Sequence, residues 1–357
     1  MKNLNRFGII VGRCRIAQSL MKKIKLYLAP IQGFTNSLYR NLFSEYFSGF
    51  DLAIAPFIAS VRAKQIGRSH LKDILPENNS GMPVIPQILS NDPDGFIQLA
   101  SVLFDLGYDT VNWNLGCPFP IVAKKKRGSG FLPYTREIDS FLDKVIPAIP
   151  NRLSIKTRTG WKNSSDILDL IPLFNRYPIS EIIIHPRIGI QRYEGEPDLD
   201  IFEKCLAFSD HRVAYNGNIE NLETFRFLSA RFPEVERWMI GRFALSNPFL
   251  PDIIKKDNDT IQDKTVVFKK FHDELVYRYS MVLSGPSHIL DKMKGYWNYF
   301  SCSFEDGGKL YKKIKKAKNP DQFKRVVDTF FEQTPRWIES IRIKGNSGDT
   351  IFNSRNR

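Results

Sequence analysis

"VNWNLGCPFP", residues 111–120, is a β-like run that ends on a turn carrying a lone cysteine, Cys117, between Gly116 and Pro118. A thiol on the turn that leaves a strand has two readings. It is a buried structural cysteine, or it is a reactive group at the mouth of a barrel.

The rest of the chain decides which fold surrounds this turn. Short β-branched or aromatic runs recur as "KLYLAPI" from Lys25, "DLAIAPF" from Asp51, "PVIPQIL" from Pro83, "RLSIKTRTG" from Arg152, "EIIIHPR" from Glu181, "HRVAYNGN" from His211 and "VERWMIGR" from Val235. Amphipathic segments lie between them. "DPDGFIQLASVLFDLG", residues 92–107, opens on an Asp cap with Pro93 in the first turn and closes on Gly107. "TREIDSFLDKVIPAI" (135–149) and "NLETFRFLSARF" (221–232) carry apolar residues at helical spacing. Eight β-then-α units with near-continuous apolar strands predict a closed parallel (β/α)₈ TIM barrel, an α/β fold. The alternative, a doubly wound open sheet, lacks its Gly-rich dinucleotide turn after the first strand. After about Lys256 three helical periods follow with no strand between them, so a small C-terminal helical domain is expected. The expected boundaries are a basic extension over 1–23, a barrel over 24–256, a helical domain over 257–343 and a disordered tail over 344–357.

Composition narrows the class. The chain of 357 residues is 42% hydrophobic and 25% charged, which is globular, and no apolar run reaches membrane-spanning length. The apolar part of the N-terminus is broken by Arg13 and Arg15, unlike a secretory signal, and Met21 is a candidate start. Cys14, Cys117, Cys205 and Cys302 are scattered, with neither zinc-ligand nor disulfide-scaffold spacing, so no metal and a reducing, cytoplasmic setting are expected. A net charge of +14 suits a protein that grips phosphates.

In such a barrel the active site lies at the C-terminal ends of the strands. Those ends here are repeatedly polar: Gln87; Asn112, Asn114 and Cys117; Lys156 and Arg158; His185 and Arg187; Asn216 to Asn218; Gly241 and Arg242. No carboxylate pair suits glycoside chemistry and no cage suits a metal. Gly217 and Gly241 would let backbone N–H groups approach a phosphate after strands seven and eight, with Arg242 adding charge. Gln87, Asn216 and Asn218 could pair with a flat imide-bearing heterocycle, and Lys156 could stabilise anionic charge on its reduced form. Flavin mononucleotide (FMN) satisfies every part of this set; a phosphosugar leaves the amides and Cys117 unexplained.

"LAPIQGFTN" (28–36), "NWNLGCPFPIVAKKKRGSGFL" (112–132), "SIKTRTGW" (154–161), "IIHPR" (183–187), "YNGNIENLETF" (215–225) and "WMIGRFALSNPFL" (238–250) resemble, in order and spacing, the tRNA-dihydrouridine synthases. "KMKGYWNYF" (292–300) is similar to that family's helical domain. The resemblance implies an oxidoreductase that reduces the C5=C6 bond of a tRNA uridine, with FMN as cofactor and NADPH as reductant. It implies that Pro30, Ile31 and Gln32 lie along the flavin and that Gln87 and Lys156 contact its ring. His185 would lie near the ring and phosphate, with Asn216, Gly217, Asn218, Gly241 and Arg242 on the phosphate side. Cys117 would be the general acid and Asn114 would reach the target base, with Arg158 and Arg187 as further substrate contacts. A short, C-type chain points to one D-loop position, with position 16 the candidate, and a monomer gripping one tRNA is the simplest assembly.

Three departures from the family stand out. Pro186 replaces the usual glycine of His-Gly-Arg, which removes a backbone donor. Asn218 replaces an acidic residue after Asn216 and Gly217, and the basic residues after Cys117 are delayed to Lys124–Arg127. That cluster, and "KLYKKIKKAK" at 309–318, reads either as a solvated face or as an RNA contact. Tyr296, Trp297 and Tyr299 read as helix core rather than as a base platform. Two rival readings are a flavin barrel acting on a free pyrimidine, such as a dihydroorotate dehydrogenase, and an RNA-binding barrel that has lost catalysis.

Overall fold

The computed structural model describes residues 24–60 and 66–338. The expectations for 1–23, for a start at Met21, for Cys14 and for the tail from 344 fall outside those residues.

Eight strands form one ring: β1 (Lys25–Leu28), β2 (Leu52–Ile54, resuming at Ile58–Ala59), β3 (Val84–Ile85, resuming at Gln87–Leu89), β4 (Thr110–Leu115), β5 (Arg152–Gly160), β6 (Glu181–Ile188), β7 (Val213–Tyr215) and β8 (Arg237–Ile240). Every pairing is parallel, and β8 pairs back onto β1 from Lys25↔Arg237 to Leu28↔Ile240. The ladder between β2 and β3 is interrupted because Pro56 and Pro86 offer no N–H. It resumes one residue out of step, Ile54↔Ile85 becoming Ile58↔Ile88, so the barrel still closes. The second βα unit departs from the expected alternation. Among the described residues its helix is only Arg68–Leu71, followed by two 3₁₀ turns.

Period two sorts the side chains. Leu26, Leu28, Val111, Trp113, Leu115, Ile155, Ile182 and Ile184 face the helices in the main core, where Trp113 stacks on Phe141 at 4.1 Å. Tyr27, Ala29, Ile54, Ile183, Ala214 and Met239 form a separate inner cluster that fills the barrel. At its foot Arg237 pairs with Glu181 at 2.9 Å, and the Tyr27 hydroxyl donates to the same carboxylate.

Beyond β8, helices Lys264–Val282, Pro286–Phe300, Gly307–Lys316 and Pro320–Glu332 pack against the first βα unit. Phe271 meets Tyr39, Tyr46 and Phe47 edge-on, and Tyr296 stacks on Tyr39. Tyr296 and Trp297 are fully buried, and Tyr299 sets its ring edge against Phe34, so this aromatic run is core as expected. Among the described residues no helix is long and apolar enough to cross a membrane, and no His/Cys/Asp/Glu group could hold a metal ion.

Candidate functional site at the barrel mouth

The alternation that buries Trp113 and Ile155 outward turns Asn112 and Asn114 of β4, Ser154, Lys156 and Arg158 of β5, and His185 and Arg187 of β6 inward. Parallel register then sets Asn114 beside Lys156, and Arg158 beside His185. Three neighbouring strands thus deliver amides, cations and an imidazole to one level of the barrel.

Asn114 builds the cysteine turn. Its Oδ1 accepts from the N–H groups of Gly116 (3.0 Å) and Cys117 (2.9 Å), and its Nδ2 donates to Gln87 Oε1 at 2.7 Å. Gln87 donates in turn to Asn112, and Asn112 to Ser154 Oγ. The Cys117 carbonyl accepts from both the N–H and the hydroxyl of Ser129. Gly128, at φ +57°, passes so close that a Cβ there would lie 2.6 Å from the Cys117 carbonyl oxygen. Burial pushes the Cys117 thiol up to about 11, against smaller opposing effects of the Phe119 backbone, Arg158 and Lys156. The thiol therefore stays protonated at neutral pH.

Lys156 lines the cavity at the mouth, and its residual exposure does not relieve the desolvation of its ammonium. That desolvation, with the charge of Arg158 adding, pushes it down to about 7. It makes no hydrogen bond or ion pair among the described residues. Burial, then the charges of Arg158, Lys156, Arg187 and Arg242, holds His185 well below its ordinary range. Arg187 Nη1 lies 3.1 Å from His185 Nε2, and a guanidinium can only donate. His185 is therefore neutral, with its proton on Nδ1.

The two arginines expected to meet substrate also bond the protein. Arg158 donates to the carbonyls of Gly116 (3.0 Å), Ile188 (2.9 Å) and Arg192 (2.6 Å) and is 1% exposed. Arg187 holds the Gly195 carbonyl, His185 and Asn218. Both position loops.

Pro30, Ile31, Lys156, His185, Asn216, Gly217, Asn218, Gly241 and Arg242 line one narrow cavity of about 60 Å³. Ala29, Tyr193 and Phe243 join them, none anticipated. Tyr193 lies under Arg242 at 4.3 Å and near Arg158 and His185. The only hint of it was an aromatic in the polar loop after β6. Gln32 is exposed and Gln87 fully buried, and neither belongs to the lining. The carboxylate missing at Asn218 is supplied nearby, since Asn218 Nδ2 donates to Glu220 at 3.2 Å.

The donor set has two ends. An unpartnered lysine, a neutral imidazole and the Asn216 amide form one. Gly217 and Gly241, with the Arg242 guanidinium, form the other. A Cβ at Gly217 would stand 2.1 Å from the Tyr215 hydroxyl, so only glycine brings the backbone this close. The Arg242 guanidinium has no hydrogen-bond or ion-pair partner among the described residues. These groups suit a flat heterocycle carrying a phosphate.

A family model described as dihydrouridine synthase (Dus) matches residues 27–334. A "tRNA-dihydrouridine synthase B" of Pasteurella multocida is 25% identical over 253 residues, 68% of this chain and 74% of that protein. A "tRNA-dihydrouridine(16) synthase" of Vibrio parahaemolyticus is 24% identical over 304 residues, 82% of this chain and 92% of that protein. Among solved structures, an old yellow enzyme homologue from Zymomonas mobilis superposes with a TM-score of 0.49 at 12% identity, over 68% of this chain and 92% of that one.

Proposed function

The chain belongs to the dihydrouridine synthase family, and from that premise we propose that it reduces the C5=C6 bond of a uridine in tRNA, with FMN bound at the barrel mouth and NADPH as reductant. The observation that carries the reading is the Asn114-pinned turn of Cys117 at the same strand level as Lys156, whose ammonium has no hydrogen bond or ion pair among the described residues. That pair suits delivery of a proton to a ring that takes up negative charge.

A bound flavin would supply the hydride to C6 of the uracil. Cys117 holds the proton for C5 on Sγ. With burial keeping it near 11, the thiol is too weak an acid to stand as a free thiolate nucleophile, and it parts with its proton only to a strong base such as a developing carbanion. Asn114 fixes where that proton sits, through the two backbone N–H groups it holds. Lys156, poised near 7, places positive charge where the anion develops. His185 offers Nδ1–H while Arg187 occupies Nε2. Arg242 and the glycine backbones at 217 and 241 would hold the phosphate.

The target base must leave its stack to enter so narrow a mouth. An excess of 14 positive charges supports a polyanionic substrate. Lys309, Lys312, Lys313, Lys315, Lys316 and Lys318 form an exposed row on or just beyond the Gly307–Lys316 helix, while Leu310 and Ile314 are buried. We assign catalysis to the barrel over 24–256 and RNA grip to the helices over 257–343, in a cytoplasmic monomer. Position 16 is the first to assay, because the match to the protein named for it runs along more of both chains.

The test pairs wild type with Cys117→Ala. Wild type should purify yellow and, with NADPH, form dihydrouridine in an unmodified tRNA transcript, read by mass spectrometry. The variant should keep its flavin and the flavin's reduction by NADPH, yet form dihydrouridine at least ~100-fold more slowly. A colourless protein that cannot be reconstituted, or full activity in the variant, defeats the proposal.

A further inference from the structure

A second, larger cavity of about 390 Å³ adjoins the cysteine turn and shares no lining residue with the first. It starts at Pro118, the residue after Cys117, and runs between the 118–134 loop, Trp161 at the end of β5 and the Ile190–Arg192 segment after β6. Its size lies within the ~300–1,000 Å³ typical of small-ligand sites. Trp161 packs against Gly189, where a Cβ would come within 2.1 Å of its ring, so the wall depends on that glycine. Tyr134 and Ile190 add apolar surface and are 36% and 53% exposed. Lys124 and Arg192 supply cationic groups, no carboxylate lines the space, and Lys126 stands 4.0 Å over the Tyr134 ring.

Aromatic and aliphatic walls with cations alongside are how proteins hold an unpaired base together with its phosphate. Adjacency to Cys117 in the chain argues which base. The cavity begins one residue from Cys117, so its occupant stands next to the base that Cys117 serves. The two sites are also mechanically one. The Arg158 guanidinium ties Gly116, on the cysteine turn, to Ile188, which precedes the wall residue Gly189, and to Arg192, on the far wall of the second cavity. We propose that this cavity binds a nucleotide neighbouring the target uridine in the RNA strand, a subsite that rests on the tRNA reading above. Filling it steadies the loop that carries the proton donor, and so couples recognition of the RNA to reduction.

The test uses the full-length flavoprotein. Hexauridylate and an unmodified tRNA transcript should each quench tryptophan fluorescence. Trp161→Phe should keep an aromatic wall, binding within about 3-fold of wild type, but lose most of the quench. Ile190→Glu should weaken hexauridylate binding and raise the KM for tRNA by about 10-fold, with flavin content retained. An unchanged quench in Trp161→Phe, or unchanged RNA affinity in Ile190→Glu, overturns the proposal. So does a quench by NADPH alone with an Ile190→Glu effect confined to the KM for NADPH, which assigns the cavity to the reductant. Should wild type form no dihydrouridine in any tRNA, the functional reading falls separately. A Trp161-dependent quench by hexauridylate would then still support the RNA subsite.

Discussion

At Lys156 the cost of the site and its purpose are the same thing. The unfolded chain holds this proton up to an ordinary 10.5, while the folded chain sheds it at about 7 because burial and Arg158 oppose the charge. Between those values the unfolded state binds the extra proton, so stability without cofactor rises with pH across that window, and the cost is greatest below pH 7. A flavin ring atom that accepts a hydrogen bond from the Lys156 ammonium reverses the balance, because binding then recruits the proton. We expect flavin affinity of the cofactor-stripped protein to fall by up to about 10-fold per pH unit above pH 7. Lys156→Met should bind more weakly with a flat profile, and should melt about 2–4 °C higher than wild type when both are free of flavin at pH 6. Fluorescence titration from pH 6 to 9 and a thermal melt check both. The position of Lys156 was legible in "SIKTRTGW", but the lack of a side-chain partner for its ammonium among the described residues was not. Residues far apart in the chain decide that.

Among the elements, the loops after β4 and β6 are held by Arg158, a residue of β5 between them. Its three carbonyl partners are 30 to 42 positions away in sequence, so pattern could mark it as a polar strand end but not say what it holds. Replacing it removes the partner of three part-buried carbonyls at once. Arg158→Met should lower stability by at least ~2 kcal/mol in urea denaturation. Arg158→Lys, a point charge that cannot reach all three carbonyls at once, should fold and keep flavin but lose about 10-fold in kcat. A merely structural arginine would leave kcat at 20 °C untouched in the lysine variant. The strands themselves were legible because apolar runs of β length recur at regular intervals. The weak second helix was not, because the segment after β2 has no helical period to read.

Across the whole molecule the helical region closes over the first βα loop, which also carries Pro30 and Ile31 of the mouth. Tyr296 donates to the Phe34 carbonyl at 2.6 Å and shares a hydrogen bond with Tyr279, while Lys292 donates to the Gly33 carbonyl. Tyr296→Phe strands that buried carbonyl and should cost about 1–3 kcal/mol, read by chemical denaturation. Because the same loop flanks the cofactor site, its flavin should also dissociate faster in a dilution assay. What the sequence by itself determined is the eight-fold alternation, the polar strand ends and the helical appendage. Each is written as a local period or a local turn, and a parallel strand must carry its inward side chains at every second residue. What only the tertiary structure decided is which of those polar groups bond the protein and which line the cavity at the mouth. Gln87, Arg158 and Arg187 turned out to bond the protein, while Tyr193 joined the lining. Whether a buried donor is satisfied depends on carbonyls that closure of the barrel brings from strands distant in sequence, and no local pattern encodes that distance.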